Sequence, residues 1–154
     1  MRAVILVMGL LWLISLNQAR ANVELSDDFL NAQPRVQLYM AYAEYKMANY
    51  PLAHAMWQQI DGAGKAEALF NLGILYEQGK GVEQSLVAAR DYYLQAAEAG
   101  SRAGAYQVGL MALEHPQMVP AETARHWLMV AALDGDEDAG QLLKTLTSDE
   151  TNSN

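Results

Sequence analysis

Cysteine is absent from this chain, which excludes a disulfide framework, a thiol nucleophile, a thiolate metal site and a lipid-modified N-terminal cysteine. Basic residues are scarce. Lysine and arginine number 10 against 18 aspartates and glutamates, a formal charge of −8, so the positive footprint that nucleic acid or an anionic membrane surface requires is missing. Neither is expected as a partner. The histidines are only His54, His115 and His126, with no i, i+4 pair and no HExxH arrangement. Solvated or packing roles account for them, and no metal or other cofactor is expected. Serine, histidine and aspartate all occur, but no nucleophile elbow or ordered triad is visible, so the chain is not expected to be an enzyme.

Long apolar runs are also missing, with one exception at the start. Arg2 provides a positive beginning, Ala3 to Leu16 is apolar apart from Gly9 and Ser15, and Ala19-Arg20-Ala21 has the small-x-small form of a cleavage site. As a helix this run spans about 21 Å, short of the roughly 30 Å hydrocarbon core. Residues 1–21 therefore read as a cleavable signal peptide, with an uncleaved membrane anchor left open. Its removal takes away Arg2 and Arg20 and leaves 8 basic against 18 acidic side chains, a formal charge of −10. With no lipid anchor and no later span, the expected location is the bacterial periplasm, with full secretion as the lesser reading.

What is present is a globular composition, 52% hydrophobic and 18% charged in 154 residues, enough for one domain. After a lead-in at 22–33, in which Ser26-Asp27-Asp28 reads as a helix N-cap with acids in the first turn, helical spacing takes over. A helix is expected from Pro34 to Ala48 and a second from Leu52 to Ile60, with Pro51 in its first turn and Asp61-Gly62-Ala63-Gly64 closing it. From Ala66 to Gly100 two helices are joined by a glycine-bearing loop. Leu69, Leu72, Gly73 and Tyr76 mark one face of the first, and Ala89, Tyr92, Tyr93, Ala96 and Ala97 one face of the second.

This pattern repeats. Leu72-Gly73 recurs as Val108-Gly109 and Phe70 as Tyr106, 36 residues on, while Ala96-Ala97 recurs as Ala131-Ala132 and Gly100 as Gly135, 35 residues on. Backwards, Trp57 precedes Tyr93 by 36 and Leu38 precedes Leu72 by 34, which gives the first unit a loop two residues shorter. Asp136 to Leu146 repeats only a first helix, and the polar tail 147–154 is expected to be disordered. The fold expected is all-α, a short right-handed solenoid of about three helical hairpins over 34–146 with a C-terminal capping helix. A glycine inside a helix costs about 1 kcal/mol relative to alanine. Gly73 and Gly109 are therefore expected to admit close approach of a second helix through its Ala-Ala pair.

The residues resemble the Sel-one-like repeat, a longer-looped relative of the tetratricopeptide repeat, whose pattern is roughly A-x-A-x-x-x-L-G-x-x-Y-x-x-G-x-G-V, then D-x-x-K-A-x-x-W-Y-x-x-A-A-x-x-G. Ala66, Ala68, Leu72, Gly73, Tyr76, Gly79, Gly81, Val82, Ala89, Tyr93, Ala96, Ala97 and Gly100 match it. Ser85 stands for the acid, Ala88 for the lysine and Tyr92 for the tryptophan; the third unit lacks the loop glycines and has Ala112 at the tyrosine. The resemblance implies a non-enzymatic scaffold or adaptor in an envelope, flagellar, secretion or signalling assembly, with another envelope protein as partner. By analogy with tetratricopeptide hairpins, the concave face would carry Val36, Met40 and Glu44, then Phe70, Ile74 and Glu77, then Tyr106, Leu110 and Glu114. Such an apolar strip edged by acids suits a partner's helix or extended peptide. Three other readings stay open: cover by Leu25, Phe29 and Leu30 folding back, a homodimer, and cell-wall glycan or peptide binding through Tyr39, Phe70 and Tyr106. Asp134 to Asp138 invites a calcium loop, but Ala139 falls where the loop needs glycine and Thr145 where it needs an acid, so these acids are expected to cap the last helix.

Overall fold

The computed structural model describes residues 23–151, and the side chains of 147–151 are not described. The expected signal peptide, residues 1–21, lies outside the described residues. Among them are eight α-helices and no strand: α1 (Asp27–Leu30), α2 (Pro34–Lys46), α3 (Tyr50–Gln59), α4 (Lys65–Gln78), α5 (Leu86–Glu98), α6 (Arg102–Glu114), α7 (Ala121–Leu133) and α8 (Glu137–Thr151). A 3₁₀ turn, Gly62–Gly64, leads into α4. α2 with α3, α4 with α5, and α6 with α7 pack as hairpins, and each hairpin also touches the next. The result is a short helical solenoid closed by α8, which packs on both α6 and α7.

Each hairpin buries the stripe that its spacing announces. Ala53, Met56, Trp57, Ala68, Leu72 and Leu75 share one core with Phe29. Ala89, Tyr93, Val108, Met111 and Ala124 form the second, and Ala97, Ala105, Leu128, Ala131 and Ala139 the third. Burial of a leucine- or valine-sized side chain contributes about 1.5–3 kcal/mol, so the cores supply the driving force that these weakly amphipathic helices lack alone. The lead-in belongs to this scheme. Ser26 caps α1 by accepting the Phe29 N–H at 3.3 Å, Phe29 is fully buried, and the Gln37 side chain donates to the Phe29 carbonyl at 2.9 Å.

Three local expectations are corrected. The interior glycines do not receive the Ala-Ala pairs. A Cβ on Gly73 would fall 2.6 Å from Cδ1 of Tyr93, and one on Gly109 2.8 Å from Cδ1 of Leu128. Each glycine is thus the socket for a large side chain from its own hairpin, while Ala96 takes Gly104 of the next unit, where a Cβ would sit 2.8 Å away. Second, α2 stops at Lys46 and Ala48 turns left-handed at φ 62°, where the next hairpin uses Gly79 at φ 65°; the shorter loop leaves that turn no glycine. Third, α8 continues to Thr151, past the Leu146 boundary and into the tail expected to be disordered. Beyond Gly140 no glycine or proline stops it, and an existing helix lengthens without a new nucleation cost.

The caps follow the sequence more closely. Ser85, standing where the repeat pattern has an acid, accepts the Ala88 N–H at 3.2 Å. Ser101 does the same for Gly104 at 3.0 Å, and Asp136 for Ala139 at 3.0 Å. Asp136, Glu137 and Asp138 thus sit at a helix start, where negative charge is favoured, whereas Asp134, expected with them, is the C-cap of α7.

Candidate functional site

The nine residues expected on one concave strip are spread over several environments. Glu77 is engaged internally, since its carboxylate accepts the hydroxyl of the buried Tyr93 at 3.0 Å. Burial together with that carboxylate holds the Tyr93 hydroxyl protonated far above its ordinary range. Phe70 and Ile74 are half-buried against the second core, Tyr106 packs against the third, and Leu110 is half-buried. Met40 and Glu44 line a small cleft of about 350 Å³ that also holds Leu25, Leu52 and Met56. In the first unit, Leu25 and Phe29 therefore lie where the folding-back reading placed them, whereas Leu30 stays half-exposed. Val36 and Glu114 are exposed and line neither hollow.

The larger hollow is a groove of about 760 Å³ that shares only Phe70 with the expected strip. Its wall from α2 is Leu38, Tyr39 and Tyr42, and α4 contributes Ala66, Glu67, Phe70 and Asn71. Ala63 in the 3₁₀ turn, the turn and first residues of α6, Gly100 to Ala103, and Asp134 after α7 complete it. The groove thus follows α2 and then the edge where α4, α6 and α8 begin. Tyr39 is 71% exposed and Tyr42 48%, unusual for rings in a protein this rich in cores, and they fall at i and i+3 on one helix face. That spacing is visible in the sequence. By the same 34-residue offset that relates Leu38 to Leu72, however, Tyr42 matches Tyr76 of the packing stripe, and nothing in the repeat pattern shows that its ring stays exposed.

Charge in the groove is unevenly compensated. Its one cation, Arg102, donates to the Asp134 carbonyl at 3.0 Å and lies 3.9 Å from the Asp136 carboxylate. The carboxylates of Glu67 and Asp134 form no ion pair among the described residues. No group of three or more acids and histidines able to hold a metal occurs among them either. His54 is not among the residues that line the groove; its Nε2 lies 3.3 Å from the Tyr76 hydroxyl, and burial pulls its pKa below the ordinary value. Tyr76 in turn stacks on Tyr92 at 5.3 Å. His126 packs edge-on against Trp127.

Comparison with known proteins bears on this architecture. Residues 66–101 and 102–136 match the model of the Sel1 repeat. Six solved chains match the fold. One is the crystal structure of a Sel1 repeat protein from Oxalobacter formigenes, with a TM-score of 0.63 and 20% sequence identity over 79% of this chain. The aligned part spans 59% of the length of that protein. No curated protein matches the chain.

Proposed function

We propose that this chain, two segments of which match the Sel1 repeat, works as a non-enzymatic, exported adaptor that holds a segment of another envelope protein in the groove between α2 and α4. Sel1 repeat proteins generally mediate protein–protein interaction, and a fold of this kind offers a surface rather than a reaction. The observation that carries the reading is the exposure of Tyr39 and Tyr42 beside Phe70 in one groove. Exposed tyrosines in a concavity are typical anchors for a partner, because rigid rings bring large contact area at low entropic cost. Export rests on Arg2, the apolar run from Ala3 and the Ala19-Arg20-Ala21 site.

Two measurements test it. Protein recovered from the periplasm should begin at Asn22 on N-terminal sequencing; a chain that stays in the cytoplasm and begins at Met1 removes the export claim. The purified chain, immobilised beside a Tyr39→Ala/Tyr42→Ala variant of unchanged helix content, should retain an envelope protein that the variant loses. Both positions are exposed, so the variant keeps its cores, whereas a change at Tyr106 would disturb one. Equal retention by both proteins would show that the groove is not the partner site.

A further inference from the structure

The groove combines exposed tyrosines with carboxylates that form no ion pair among the described residues, and this narrows what can enter it. Rings attract cations over their faces, and Glu67, in the first turn of α4, forms no ion pair among the described residues. Arg102 is a weak lure for an incoming anion, since its guanidinium already donates to the Asp134 carbonyl and lies 3.9 Å from the Asp136 carboxylate. Ser101 occupies one of the N–H groups at the start of α6. A purely apolar occupant would strip water from Glu67 and leave the charge unpaired, which is costly. An acidic one would meet Glu67, Asp134 and a chain of net charge −8.

We propose that the groove receives an extended, basic segment of a partner protein, with a lysine or arginine side chain laid across Tyr39, Tyr42 and Phe70 and its charged head directed to Glu67. This rests on the reading of the groove as a partner site. Long basic side chains are suited to it because their aliphatic stems lie along apolar surface while the head stays with charge or water. The volume of about 760 Å³ is that of a site of about 300–1,000 Å³ for small ligands, enough for a few consecutive side chains and too small for a helix face. The excess of acids over the chain also draws basic segments in from solution.

The test is selection of a displayed dodecapeptide library on the purified chain, counted against the Tyr39→Ala/Tyr42→Ala variant. Peptides that depend on the two tyrosines should be enriched in lysine or arginine next to apolar residues. A fluorescein-labelled synthetic member should bind about two- to fivefold more weakly to each single Tyr→Ala variant, and as tightly to Tyr39→Phe, which keeps the ring. Glu67→Gln should weaken it, and raising salt from about 50 to about 500 mM should weaken it further. Tyrosine-dependent peptides that are neutral or acidic, or basic ones indifferent to Glu67→Gln and to salt, overturn the basic-segment inference and leave the partner groove standing. If no peptide depends on the tyrosines, or a cell-wall glycan fragment alone does, the groove reading falls with it.

Discussion

Gly73 shows how much one hydrogen atom decides. Tyr93 is fully buried, its ring lies over Gly73, and its hydroxyl is tied to Glu77, so the ring has no room to retreat from an added side chain. Gly73→Ala should cost about 1–3 kcal/mol by overpacking, and Gly73→Leu should prevent the second hairpin from closing. Chemical denaturation of the two variants checks this; a midpoint unchanged for Gly73→Leu would mean that the socket is not tight. Ala48 is the opposite case. It holds a left-handed φ of 62°, a conformation costing a non-glycine residue about 1–2 kcal/mol. Glycine removes that strain but loses unfolded-state restriction of about 0.4–1 kcal/mol. Ala48→Gly should therefore stabilise the protein by up to about 1.6 kcal/mol, seen as a higher denaturation midpoint.

Between helices, the contact of α3, α4 and α5 at His54, Tyr76 and Tyr92 sets a pH dependence. Desolvation lowers the folded-state pKa of His54 below its ordinary value of 6.5, so the unfolded chain takes up a proton first. Stability is thus complete above about pH 6.5 and falls as acid passes through the unfolded and then the folded pKa. His54→Gln, which keeps a polar group near the Tyr76 hydroxyl, should flatten the melting temperature between about pH 5 and 7. A slope identical to the wild type would assign the acid sensitivity elsewhere.

As a whole the molecule is a row of layers, each in contact with its neighbours, so opening should proceed from an end. The first layer depends on Phe29, which fills it from the lead-in. Phe29→Ala should cost about 3–5 kcal/mol and speed amide exchange in α2 and α3 well before α6 and α7. Uniform acceleration through all hairpins would instead show one cooperative unit. The same row explains what was readable in advance. Helix spacing, the 35- and 36-residue period and the capping residues Ser26 and Ser85 depend on neighbours along the chain, and they determined that this is a helical repeat protein. Which ring enters which glycine socket, that Glu77 belongs to Tyr93, and that the open groove runs past Tyr39 and Tyr42 instead of along Val36 to Glu114 were decided only by tertiary structure. A repeat pattern records what each unit shares, whereas the groove is lined by side chains in which the first hairpin departs from the others, Tyr39 and Tyr42 above all.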